Sequence, residues 1–62
     1  MAHARDQVAQ LRHDMSNPLS AILAETQLLL LSAEKYDEET VTSLKQIEAL
    51  ARRMRQLLQA LE

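Results

Sequence analysis

The sequence predicts an all-α fold, an antiparallel two-helix hairpin that dimerises into a four-helix bundle. Three observations lead there. Apolar residues recur at helical spacing in both halves of the chain, and one polar segment separates the halves. The 62 residues include no cysteine, so a core this small has no disulfide to support it and needs a second chain.

The first helix is expected over about residues 4–31, where Val8, Leu11, Met15, Leu19, Ile22, Thr26 and Leu29 advance by steps of three or four and form one stripe. Ser32 to Asp37 is polar enough to be the turn. Asp37 is the expected N-cap of the second helix, with Glu38 and Glu39 just inside it to complement the positive end of the helix dipole. That helix is expected over about residues 38–61, with Leu44, Ile47, Leu50, Ala51, Met54, Leu57, Leu58 and Leu61 as its apolar side. Arg52, Arg53 and Arg55 fall towards its negative end, and Glu48 with Arg52 forms a favourably oriented i,i+4 pair. Helices of this length run about 40 Å, and a lone hairpin covers each stripe only in part. Pairing two hairpins about a two-fold axis covers both, which makes a homodimer the expected state.

Composition removes several classes of function. Glycine is absent, and with it every phosphate-cradling loop, so the chain is expected to bind neither ATP nor another cofactor by itself. Two histidines and no cysteine make no structural metal site. A net charge of −2, interspersed basic residues and a single aromatic, Tyr36, offer nucleic acid no footprint. Apolar runs such as Leu28 to Leu31 fall far short of a bilayer span, so no membrane contact by this segment and a cytoplasmic location are expected.

His13 projects roughly opposite the first stripe and should face solvent, which separates it from the common core histidine with a buried partner. Asn17 follows one turn later on the same face, and Asp14 is adjacent in sequence. An imidazole beside a carboxylate is a plausible nucleophile, because a hydrogen bond to one ring nitrogen fixes the tautomer and leaves the other electron-rich. On projection alone, Asp14 and Asn17 are equally readable as ordinary solvated surface. Pro18 lies where a helix interior normally excludes proline. A helix starting at Leu19 with Asn17 as its cap would explain it, but the stripe runs in register through Val8, Leu11, Met15 and Leu19, so a bent, continuous helix is expected instead.

The run His13-Asp14-Met15-Ser16-Asn17-Pro18-Leu19, followed by Ser20-Ala21-Ile22, resembles the H-box of sensor histidine kinases, in which a histidine and an acid precede Thr or Asn, Pro and Leu. Ser16 departs from it, being often basic in that family. The resemblance implies the dimerisation and phosphotransfer domain of such a kinase, a fragment without its catalytic domain. His13 would be phosphorylated from ATP held by a separate ATP-binding domain, with Asp14 as base or orienting acid. Asn17 would orient water when the same surface removes phosphate from a response regulator, and Pro18 would supply the bend. His3 lacks this context and is read as incidental.

Ser20, Ala21, Ala24 and Leu28 project within about 80° of His13, towards the turn, and are the expected docking surface for the regulator's receiver domain. Lys45, Ala49 and Arg52 of the second helix are placed to complete it. Two other readings compete. One is a structural coiled-coil dimerisation hairpin with an inert His13, and the other a stand-alone phosphotransfer protein, which two helices disfavour because such proteins are usually monomeric four-helix bundles.

Overall fold

The computed structural model describes residues 4–61. Two helices, α1 (Ala4–Leu30) and α2 (Glu38–Gln59), pack side by side in opposite directions and are joined by a single 3₁₀ turn at Ala33–Lys35. No strand occurs among the described residues, and the all-α hairpin read from the periodicity is the observed architecture. It is a rod of 53 × 14 × 11 Å.

α1 runs unbroken through Pro18. Proline has no N–H to give the carbonyl four residues back, so the Asp14 carbonyl loses its helical donor. Nearby, the Ser16 hydroxyl donates to the Arg12 carbonyl at 2.6 Å, and further along the Thr26 hydroxyl donates to the Ile22 carbonyl at 2.7 Å. The second bond is what lets Thr26 sit buried at 5 % exposure in an otherwise apolar seam.

The chain has no glycine for a left-handed reversal, and no described residue has positive φ. The chain tightens instead. The Leu31 N–H is shared between the carbonyls of Gln27 and Leu28, at 3.1 and 3.2 Å, and Ser32 N–H donates to Leu29 at 3.1 Å, which takes up carbonyls the helix end would leave open. Tyr36 and Asp37 are then extended, with ψ of 156° and 165°, and redirect the chain into α2.

Asp37 caps α2, accepting a hydrogen bond from the Thr40 N–H at 2.9 Å. Thr40, through its hydroxyl first and its backbone N–H second, holds the Asp37 carboxyl below its ordinary value of 3.8. A depressed carboxyl stabilises the fold above its unfolded value, and that contribution disappears as pH falls through the lower folded value. Asp37→Ala should therefore lower the thermal midpoint near neutral pH, with the gap to the wild type closing as pH drops below 3.8. Melting curves followed by circular dichroism across that range check it.

The core departs from the periodicity reading in one respect. Leu19 and Leu23 of α1 meet Ala51 and Leu58 of α2, with Met15 packed against them. Leu11, Ile22 and Leu29, placed by periodicity on the same stripe as Leu19, are 52 %, 50 % and 44 % exposed. The apolar arc of α1 is wide enough to hold two rows, and the hairpin uses only the row nearer α2. α2 divides in the same way. Val41, Leu44, Glu48, Ala51 and Leu58 face α1, while Ile47, Leu50, Met54, Leu57 and Leu61 form a second row at 3-4 spacing that stays exposed. On helical projection the two exposed rows turn to the same side of the hairpin, each roughly 75–110° from the seam.

Candidate functional site

His13 sits near the middle of α1, and its ring touches no core residue: its side chain is 75 % exposed. The outward direction is a matter of register. With Met15, Leu19 and Leu23 pointing at α2, position 13 projects roughly 120° away from them, on the side opposite the exposed apolar rows.

Asp14 turns back towards the ring. Its Oδ1 lies 3.5 Å from His13 Nδ1, a contact at the outer edge of hydrogen-bonding reach between two solvent-facing side chains. The same oxygen accepts a hydrogen bond from Gln10 Nε2 at 2.9 Å. Nε2 of His13 bonds to no described residue, so the nitrogen away from the carboxylate is open. Asn17 is exposed one turn further on. An exposed imidazole with one nitrogen beside a carboxylate and the other free can act as a nucleophile towards an electrophile arriving from solvent.

Ser20, Ala21, Ala24 and Leu28 continue from His13 towards the turn, and all four are exposed. Ala24 and Leu28 line a shallow apolar concavity with Gln27 and Leu31. Around the edge of α1, Gln27, Leu30 and Leu31 face Lys45 and Glu48 of α2 across a second shallow groove. Leu28 lies about 100° from the exposed row of Leu11, Ile22 and Leu29, so it belongs to the histidine side. Glu48 and Arg52 pair at 3.4 Å on α2.

Two contributors escaped the sequence reading. Gln10 is one; its i,i+4 relation to Asp14 was a readable signal. Arg12 is the other. Its guanidinium donates to the Leu61 carbonyl, tying the end of α2 to the residue before His13. Nothing in the local pattern announces that long-range bond, although a cation at a helix C-terminus is electrostatically favoured. His3 lies outside the described residues.

Among the described residues no group of His, Asp and Glu side chains is placed to hold a metal ion. No helix is long and apolar enough to cross a membrane. The family model described as "His Kinase A (phospho-acceptor) domain" matches residues 3–62, nearly the full length of the chain. Nothing among curated proteins or solved structures matches it.

Proposed function

The chain belongs to the His Kinase A phospho-acceptor domain family, and from that premise we propose that His13 is its phosphoacceptor, charged from ATP and discharged to an aspartate of a response regulator. The family makes the chain a phosphoacceptor segment of two-component histidine kinases. What supports His13 as the acceptor is the exposed ring with Nδ1 on Asp14 and Nε2 open.

In the forward step the Nε2 lone pair of neutral His13 forms a bond to the γ-phosphorus of ATP, and the bond from that phosphorus to the bridging oxygen breaks. ADP leaves with the electron pair. The imidazole becomes cationic as the bond forms, and the Asp14 carboxylate beside Nδ1–H stabilises that charge. The ring's proton is the one on Nδ1, and the phosphorylated imidazolium releases it as neutral phosphohistidine forms, so Asp14, beside that nitrogen, orients the ring and is the base placed to take the proton up. ATP is supplied by a separate catalytic domain, since this chain has no glycine with which to build a phosphate loop. The need for ATP is also the reason to place the segment in the cytoplasm.

The onward transfer to the regulator is served by the surface below His13. Ser20, Ala21, Ala24 and Leu28 are small or apolar and exposed, suited to a helix of the receiver domain approaching closely, with Lys45, Ala49 and Arg52 on its α2 flank. Ala24→Arg should block phosphotransfer to the cognate receiver domain by obstruction while His13 is still phosphorylated. Transfer at the normal rate would move docking elsewhere.

Asn17 shares the exposed face with His13 and is assigned to orienting water during dephosphorylation of the receiver aspartate. Asn17→Ala should then impair phosphatase activity more than phosphotransfer. Equal losses in single-turnover assays of the two reactions would instead mean that Asn17 supports the helix at Pro18.

The working unit is a homodimer. Leu11, Ile22, Leu29, Ile47, Leu50, Met54, Leu57 and Leu61 are all at least 40 % exposed on one side of the hairpin, and no described side chain is fully buried. A soluble protein seldom leaves so continuous an apolar face open. A second copy covers it isologously, with the histidine side of each hairpin outward.

A further inference from the structure

We infer that Gln10 is a positioning residue for phosphoryl transfer, holding the Asp14 carboxylate in the rotamer that reaches His13. The inference rests on His13 being the phosphoacceptor. It starts from one oxygen atom: Asp14 Oδ1 lies 2.9 Å from Gln10 Nε2 and 3.5 Å from His13 Nδ1.

Adjacent residues on a helix diverge by about 100°, so nothing in the backbone brings a carboxylate at position 14 towards a ring at position 13. Asp14 has to lean towards the N-terminal turn to make the contact, and unrestrained it would spread over its staggered rotamers. Gln10 is one turn back from Asp14 and three residues from His13, on the N-terminal side to which helical side chains incline. Its amide reaches forward and meets Oδ1 at normal hydrogen-bond length. A carboxylate only accepts, so the group donating here has to be the amide nitrogen.

The consequence falls on the imidazole tautomer. A carboxylate oxygen held beside Nδ1 favours the neutral form with its proton there, which leaves the Nε2 lone pair free to attack. Gln10 thus raises the fraction of His13 in the reactive tautomer and pre-places the charge that stabilises the imidazolium formed on attack. Arg12, which stands between Gln10 and His13 in sequence, is turned away to the Leu61 carbonyl and does not compete for Asp14.

A small donor tests this on the chain itself, apart from any effect on docking of a catalytic domain. With phosphoramidate, His13 Nε2 bonds to phosphorus, the donor's P–N bond breaks, and ammonia leaves, taking up the proton that the imidazolium releases. Three proteins are compared: wild type, Gln10→Leu, which keeps bulk but loses the donor, and Gln10→Lys, which restores a donor. His13 phosphorylation rates are measured together with ¹⁵N shifts of the neutral imidazole.

Gln10→Leu should slow phosphorylation about 1.5-fold to twofold, the scale of one helical side-chain pair. It should also move His13 towards the Nε2–H tautomer, and Gln10→Lys should recover both readouts. A merely structural role for Gln10 would leave the tautomer unmoved. Unchanged rate and tautomer in Gln10→Leu overturn the inference alone. A faster Gln10→Leu overturns it as well, because Gln10 would then be drawing the carboxylate away from the ring. A wild type that takes no phosphoryl group on His13 overturns the phosphoacceptor reading, and this inference falls with it.

Discussion

Met54→Asp should dissociate and unfold the protein together. Met54 is 45 % exposed in the single hairpin and lies within the row from Ile47 to Leu61 that the proposed homodimer would cover. A carboxylate there would be buried without a partner in each copy, at a cost on the order of 3–5 kcal/mol per unpaired buried charge. Two copies per dimer make the dissociation constant rise at least about ten-thousandfold. Among the described residues only Leu19, Leu23, Ala51 and Leu58 form a buried apolar core in each hairpin, so the separated chains lose their helices as well. Sedimentation and circular dichroism should show both losses over the same concentration range, and the wild-type thermal midpoint should rise with concentration by mass action. A well-folded wild-type monomer at micromolar concentration would contradict this.

His13→Gln should abolish phosphorylation while helicity, thermal midpoint and dimerisation stay as they are. The ring is 75 % exposed and takes no part in the buried core, so the stability change should remain within about ±0.5 kcal/mol. That combination separates a chemical role from a structural one. An inert surface histidine would leave labelling unchanged, and a histidine needed for packing would take the helices with it.

The hairpin was readable because its strongest determinants are local. Asp37 with Thr40, the polar segment after Leu31, and the apolar repeats each act over one or two turns. The continuity of α1 through Pro18 was readable for a related reason, since Val8, Met15 and Leu19 keep one register on both sides of it. The division of the apolar residues was harder. Leu19, Leu23 and Thr26 face α2, whereas Leu11, Ile22 and Leu29 do not, yet on projection the six form one unbroken arc. Periodicity locates such an arc but does not divide it between the two neighbours a bundle helix has. Leu23, buried at 6 %, was missed for this reason, and Ile22 was placed in its stead.

At the site, the outward direction of His13 followed from register alone. The contacts of Asp14 did not, because they depend on rotamers that spacing leaves free. Gln10 stood at the right interval from Asp14, but many such pairs on exposed helices bond only to water. The bond from Arg12 to Leu61 spans 49 residues and exists only once the hairpin has closed, so no local pattern announces it.

Phosphorylation of His13 is tested by incubating the chain with a histidine-kinase ATP-binding domain and γ-labelled ATP, then locating the label and examining its stability. A phosphoryl group on the Nε2 of His13 should be lost in acid, survive base, and map to the peptide containing residues 13–17. Acid-stable label, or label on His3 with none on His13, would contradict the assignment.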